Sequence, residues 1–323
     1  MKWGILGTGN IATKFATGLM ALGTRAELVA VGSRDPRKAQ AFCARFAGTG
    51  MSYTDVLGDP RVEVVYISLP NHEHAAWSIA AARAGKHVLC EKPAAMTLTE
   101  LETMLDAARA AKTFFMEGFL WRCHPRTAQL RTILRDLGPL QSAHAAFCFD
   151  GGRPVKERLA KIEFGGGALM DVGCYPLSWL RWLAGEPLAL SATAQLENGV
   201  DLSTAGALRF ANGLLATFVT SVVSAQPTIN RVYAAAGSVD VHEPWRNSPG
   251  APLIVRTAAG ERSYCTEDCT KDPGLPIHAL EALAVHRALP DHQAPEMSWA
   301  DSRGQAVTMD ALRHCIGVHW IGE

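Results

Sequence analysis

Short apolar runs recur along the first third of the chain, and each gives way to a stretch with apolar positions three and four apart. The opening run reaches Leu6, and residues 27–32, 62–69, 86–90 and 113–116 repeat it, reading as buried strands. Between them, residues 11–22, 39–46, 72–84 and 98–111 carry helical spacing. Ile11, Phe15, Leu19 and Leu22 share one face, and Gly23 and Gly85 stand where helices stop. A short segment over 53–57 leads to the turn Asp59-Pro60. Strands alternating with helices of ~10–15 residues predict a doubly wound parallel sheet with right-handed crossovers, a Rossmann domain over residues 1–120.

Beyond residue 120 the pattern changes. Helical spacing covers 125–137 and, after Gly165-Gly166-Gly167, 168–183. Residues 140–149 are strand-like, and 202–210 and 214–223 alternate on either side of Ala211-Asn212-Gly213, a hairpin signal. Further strands fit 229–236, 238–241 and 253–257, and helical patterns over 277–289 and 298–316 close the sequence. The fold class expected is α/β: the Rossmann domain followed by an α+β domain over 121–323 with a large, mostly antiparallel open sheet for substrate binding and oligomerisation. Such sheets often pair face to face, so a homo-oligomer, a dimer, is expected.

Composition narrows the functional classes. Lys+Arg and Asp+Glu are 31 each in 323 residues, which gives no net pull toward nucleic acid or an anionic membrane. No apolar run reaches the ~18–20 residues of a membrane span. The chain enters its first strand at once, and its eight cysteines follow no disulfide framework, so a cytoplasmic protein with reduced thiols is expected. Cys265-x-x-x-Cys269 and His72-x-His74 lack a matching second pair, and no metal site is expected.

The candidate chemistry gathers where strands end. Gly7-Thr8-Gly9-Asn10-Ile11-Ala12 joins the first strand to the first helix, with Asn10 as candidate N-cap. Gly7 permits a tight turn and Gly9 a close backbone approach, so that helix-terminal N–H groups face a pyrophosphate. At the end of the second strand an acid would hold the ribose hydroxyls of NAD. Ser33-Arg34 stands there instead, with Lys38 a turn later, a set suited to a ribose 2′-phosphate; Asp35 instead caps the helix beginning at Pro36. NADP is therefore expected over NAD. Leu69-Pro70-Asn71, His74 and Glu91-Lys92 belong to the later strand ends around the same crevice, as does Glu117.

Lys92, at the mouth of that crevice, suits a group that polarises a substrate hydroxyl or carbonyl. Asp171 and Tyr175, four apart, would share one helix face and present a carboxylate and a phenol together. A nearby ammonium lowers a phenol from its ordinary value of about 10 and makes it a usable acid or base.

GILGTGNIA, SR, SLPNHEH, EKP, MEGFLWRCHP and GGGALMDVGCYP together resemble the Gfo/Idh/MocA family of oxidoreductases, motif by motif from residue 2 to about 183. The resemblance implies that Lys92 is the catalytic lysine and Asp171 the aspartate of D-x-G-x-H/Y. Tyr175 at the last position resembles the branch with glucose-fructose oxidoreductase, NADP-dependent xylose dehydrogenase and dimeric dihydrodiol dehydrogenase, where tyrosine is the general acid/base. It further implies NADP contacts at Ser33 and Lys38, a place for Arg122 beside nicotinamide and substrate, and a sugar or polyol as substrate. The alternatives are an aromatic trans-dihydrodiol, with Trp121, Trp179 and Trp182 as candidates for an apolar pocket, and a non-catalytic NADP-binding sensor. Arg153, Arg158 and His278 are candidates for substrate specificity from the second domain.

Overall fold

The computed structural model describes residues 1–246, 248, 250–265, 274–321 and 323. The chain divides into two compact units, Met1–Cys123 with Gly274–Arg303, and His124–Pro273 with Gly304–Glu323.

In the first unit the elements run β1 (Lys2–Leu6), α1 (Asn10–Ala21), β2 (Glu27–Gly32), α2 (Pro36–Phe46), β3 (Thr49–Met51), α3 (Tyr53–Gly58), β4 (Val64–Ile67), α4 (His74–Arg83), β5 (His87–Glu91), α5 (Leu98–Ala111) and β6 (Phe115–Gly118). The strands pair in parallel in the order β3-β2-β1-β4-β5-β6. This is the doubly wound sheet expected, with its order reversing between β1 and β4, where such sheets open a crevice. Strand β3 has no counterpart in the sequence reading. It is three residues long, and Gly50 lets α2 lie against it: a Cβ there would stand 2.7 Å from Ala39 C.

The second unit begins with α6 (Pro125–Asp136), β7 (Leu140–Cys148), α7 (Glu157–Ala160) and α8 (Cys174–Ala184). It continues through β8 (Pro187–Glu197), β9 (Val200–Phe210), β10 (Leu215–Ser221), β11 (Ile229–Ala234), β12 (Gly237–His242), β13 (Leu253–Thr257) and β14 (Gly260–Tyr264). Their sheet has the order β14-β13-β12-β11-β7-β10-β9-β8, antiparallel except for the β7–β10 pair. Strands β8 and β14 and helix α7 were not anticipated. Asn198 (φ 52°) and Gly199 (φ 81°) join β8 to β9 with the backbone of a tight hairpin, the same Asn-Gly signal that marks β9–β10.

Helix α9 (Ile277–Ala288) and the first turn of α10 (Trp299–Cys315) belong to the first unit. The sequence division at residue 120 placed this segment in the second domain; its packing places it in the first. Gly18 in α1 explains how. A Cβ there would stand 2.8 Å from Ala279 N and 3.0 Å from His278 C, so α1 and α9 meet backbone to backbone. Local periodicity carries no information about so distant a partner.

In the second unit, Asp201 near the start of β9 fixes the turn that leads into α8. It is buried, and its carboxylate accepts from Leu169 N (2.8 Å) and Thr204 Oγ1 (2.6 Å), while Gly167 leaves the room it occupies. Asp201→Ala is expected to destabilise this unit by about 2–4 kcal/mol, since a buried N–H loses its acceptor. Urea denaturation of the variant checks it, and a midpoint equal to wild type would assign the turn to other contacts.

Candidate active site

The first unit's crevice is built from the ends of its strands. Gly7, at φ 111°, donates to Gly32 O (3.0 Å), and a Cβ on it would stand 2.9 Å from Ser68 O. Only glycine lets the ends of β1 and β4 approach this closely. A Cβ on Gly9 would meet nothing within 4 Å, which leaves the backbone open to a ligand.

Gly9, not Asn10, is the N-cap of α1; no side chain caps the helix, and no acid stands in its first turn. Thr13 N binds Gly9 O, so the helix begins one residue earlier than an Asn10 cap would require. The N–H groups of Asn10, Ile11 and Ala12 therefore end the helix with no intrahelical acceptor, beside Thr8 and an open Gly9. This end fits a dinucleotide pyrophosphate.

At the end of β2, Ser33 is buried and its Oγ accepts from Asp35 N (3.2 Å). Asp35 caps α2 as expected, accepting from Arg37 N (3.0 Å) and pairing with the Arg37 guanidinium (3.4 Å). Its carboxylate is spent locally. Arg34 points into solvent with 76 % of its side chain exposed, 3.8 Å from Glu73, and Lys38 is exposed a turn into α2.

Lys92 sits in a loop braced from several directions. Glu91 is buried at the end of β5 and accepts from the Tyr66 hydroxyl in a short contact and from Lys92 N (3.3 Å). His74 lies beneath the loop with Nδ1 2.8 Å from Pro93 O and Nε2 2.8 Å from Leu69 O. Buried Glu117, at the end of β6, accepts from Ala94 N (3.0 Å). His74 was expected to line the cofactor site. Both of its ring nitrogens instead face carbonyls, and the neutral ring donates its one N–H to one of them, packed between the segment of Leu69, Pro70 and Asn71 and that of Lys92. Arg122 is likewise buried, reaching Glu296 O (3.2 Å) and Asp301 Oδ1 (3.1 Å), with its guanidinium over the Trp121 ring.

In the second unit the segment before α8 is a π-helix (Leu169–Gly173), so the regular spacing assumed between Asp171 and Tyr175 does not hold. Asp171 binds Arg158 of α7 (2.8 Å). The Tyr175 ring packs on Phe147 (5.2 Å between centroids, edge to face) and Trp245 (5.6 Å), and these two stack on each other. Trp121 and Trp179 are core residues, and Trp182 lies under Arg131, so the aromatic packing around Tyr175 comes from residues that sequence reasoning did not single out. Arg153 pairs with Glu197 (3.0 Å), and His278 belongs to the first unit, buried beside α1.

Seven cysteines are free thiols among the described residues, and Cys269 of the Cys265 pair lies outside them. His72 is exposed, and its neighbour His74 is engaged as above. No helix among the described residues is long and apolar enough to cross a membrane.

Burial holds His74 down to about 4, with the charges of Lys92 and His72 acting in the same direction and the two carbonyls opposing. A ring whose folded value lies below its ordinary 6.5 contributes fully above that pH, and its contribution is lost as pH falls toward 4. His74→Gln is expected to lose about 2–3 kcal/mol less stability than wild type between about pH 7 and 4, measured by urea unfolding at both ends. Equal losses would take His74 out of the acid transition.

Residues 1–119 match the oxidoreductase family with an NAD-binding Rossmann fold, GFO_IDH_MocA, and residues 127–240 match the GFO/IDH/MocA C-terminal domain. The chain is 31 % identical to D-xylose 1-dehydrogenase (NADP(+)) 2 of Haloferax volcanii, over 97 % of this chain and 96 % of the relative. It is 32 % identical to trans-1,2-dihydrobenzene-1,2-diol dehydrogenase of Mus musculus, over 98 % and 97 % of the two chains. KijD10, a 3-ketoreductase from Actinomadura kijaniata whose crystal structure holds NADP and TDP-benzene, matches with a TM-score of 0.87 at 26 % identity over 98 % of both chains. From the glycine turn to the sheet that follows the π-helix, this chain belongs to the Gfo/Idh/MocA oxidoreductases.

Proposed function

We propose that the protein is an NADP-dependent dehydrogenase or reductase acting on a secondary alcohol, lactol or keto carbon of a sugar or polyol. The observation that carries the cofactor choice is the end of β2. Asp35 is committed to the start of α2, while Arg34 and Lys38 stand exposed beside it. Two cations and a serine, with Asp35 turned to its own helix and Glu73 beside Arg34, suit a 2′-phosphate better than a ribose diol. The uncapped start of α1, with Gly7, Thr8, Gly9, Asn10 and Ile11, would hold the pyrophosphate. When bound, the nicotinamide supplies or accepts the hydride.

The roles of the chain's own residues follow from their chemistry. Lys92 orients the substrate oxygen and polarises it through its ammonium. Tyr175 takes the hydroxyl proton at its phenol oxygen during oxidation and returns it in reduction. Asp171, engaged by Arg158, holds the turn that carries Tyr175 and offers its carboxylate to a substrate hydroxyl only by sharing it with that guanidinium. Leu69, Pro70, Asn71, His74 and Glu91 shape the crevice, and Arg122 braces its floor. The D-xylose dehydrogenase relative supports a sugar substrate.

A second reading, an aromatic trans-dihydrodiol as substrate, is favoured by the mouse relative. We also propose that a second copy covers the sheet's open face, where Leu215 and Tyr233 are exposed across Ser142.

Absorbance at the reduced-nicotinamide band, with NADP and NAD in parallel over aldoses, polyols and a dihydrodiol, tests the reading. Turnover with one sugar class and NADP is the expected outcome; dihydrodiol turnover alone selects the second reading. NADPH binding without turnover in either direction would make the protein a sensor. Lys92→Ala and Tyr175→Phe are each expected to lower turnover about 10²–10⁴-fold while NADPH still binds by fluorescence. Undiminished turnover removes that residue from the mechanism. Arg34→Ala and Lys38→Ala are each expected to reduce the preference for NADP over NAD about 10- to 100-fold, read as the ratio of kcat/KM values. An unchanged ratio would place 2′-phosphate recognition elsewhere.

A further inference from the structure

Helix α9 packs a largely apolar sequence inward, with Ala279, Ala282, Ala284, Val285 and Ala288 all buried. Within it Glu281 has 0 % of its surface exposed, and neither carboxyl oxygen has a hydrogen-bond partner among the described residues. Such a group is costly, because a dry carboxylate without donors has nothing to replace its water.

Its surroundings say what stands there instead. Gly118, the last residue of β6, has no side chain, and a Cβ on it would lie 3.2 Å from Glu281 Oε1, 3.2 Å from Cys90 O and 3.6 Å from Glu91 Cα. The Glu281 carboxyl is thus seated against the end of β5, in the place a Gly118 side chain would fill. Glu91, whose Cα borders the same space, is buried too, but both of its oxygens accept: one from the Tyr66 hydroxyl, the other from Lys92 N. Donors gather on Glu91 and not on Glu281. The first is the carboxylate and the second the acid.

We propose that Glu91 and Glu281 form a buried carboxyl pair that keeps a single proton, on Glu281, and that Glu281 is a positioning residue. By staying neutral it lets Glu91 hold its charge without repulsion, and Glu91 in turn fixes the backbone of Lys92. The part concerning turnover rests on the role given above to Lys92; the proton itself does not.

The charged groups nearby agree. Burial pushes the Glu281 carboxyl well above the ordinary range, and the charge on Glu91 pushes the same way. Burial raises Glu91 as well, against the Lys92 ammonium and the Tyr66 hydroxyl, which favour its ionised form. From the segment after β6, the Cys123 thiol is held up by burial and then by Glu281 and Glu296, with Arg287 and Arg122 opposing. Cys90 is raised by burial and by Glu117 and Glu91. Both thiols remain neutral, so the groups facing Glu281 from β5 and β6 add no cation that would draw off its proton, apart from Lys92 behind Glu91.

Thermal midpoints of wild type and Glu281→Gln, each without cofactor or substrate, test the proton from about pH 6 to about pH 9. A carboxyl whose folded value lies above its unfolded one contributes fully below the unfolded value and loses that contribution as pH rises through the folded one. Glutamine has no such proton to lose. The midpoint of the variant relative to wild type is expected to climb with pH, and parallel curves overturn the pair. Should the glutamine variant not fold, infrared spectra of wild type carrying isotope-labelled glutamate give the same decision. A protonated carboxyl band persisting at about pH 7 supports the pair, and its absence overturns it. For positioning, wild type is expected to lose turnover at alkaline pH along a limb that Glu281→Gln lacks; the same limb in both overturns that role. Silence of wild type toward every alcohol and ketone counts against the proposed function and leaves the midpoint comparison standing.

Discussion

Glu91 is a carboxyl buried at the end of β5, and the architecture of the crevice is arranged around supplying its donors. A buried carboxylate stripped of its donors costs several kcal/mol. Tyr66 from β4 and the Lys92 amide satisfy it, and the Tyr66 ring is itself clamped by stacking on Phe15 of α1 at 3.8 Å between centroids. The next residues are then fixed by His74 and Glu117, one holding a carbonyl and the other an amide. Strand ends that would otherwise be free loops become a rigid shelf. That rigidity is what a hydride-transfer site asks of its scaffold, because small displacements at a reacting centre are expensive.

Much of this fold is legible in the residue pattern. Strand β2 and helix α5 fall on the predicted boundaries, and the glycine turn, the Asp35 cap and the strand-end clusters all lie where alternation places them. What escapes has physical causes. Strand β3 is too short to show alternation, and Gly50 is there for contact rather than for strand propensity. Strands β8 and β14 lie at the sheet's edges, where exposed positions on both faces dilute the period-two signal.

The site is legible in its parts but not in its bracing. The position of Lys92 at a strand end follows from the alternation. Its supports come from residues 74 and 117, which the strand ends mark as part of the crevice without revealing that they brace the loop. Glu281 has one readable sign: it is the single acid of its helix, set among alanines, leucines and a valine. Around Tyr175 the widened turn of the π-helix is invisible to a reading based on regular helical spacing. Phe147 and Trp245 come from distant points in the sequence to meet its ring.

The contact of α1 with α9 bears on how the molecule comes into being. The first unit owns both an early segment, Met1–Cys123, and a late one, Gly274–Arg303. During synthesis the early segment emerges with the bare backbone of Gly18 and the underside of β5 and β6 still uncovered, and it stays so until the sheet of the second unit has been made. A fragment cut after Cys123 inherits the same uncovered surface. The dinucleotide-binding half is therefore not a separable module: it is finished last, by a helix supplied after the unit that follows it.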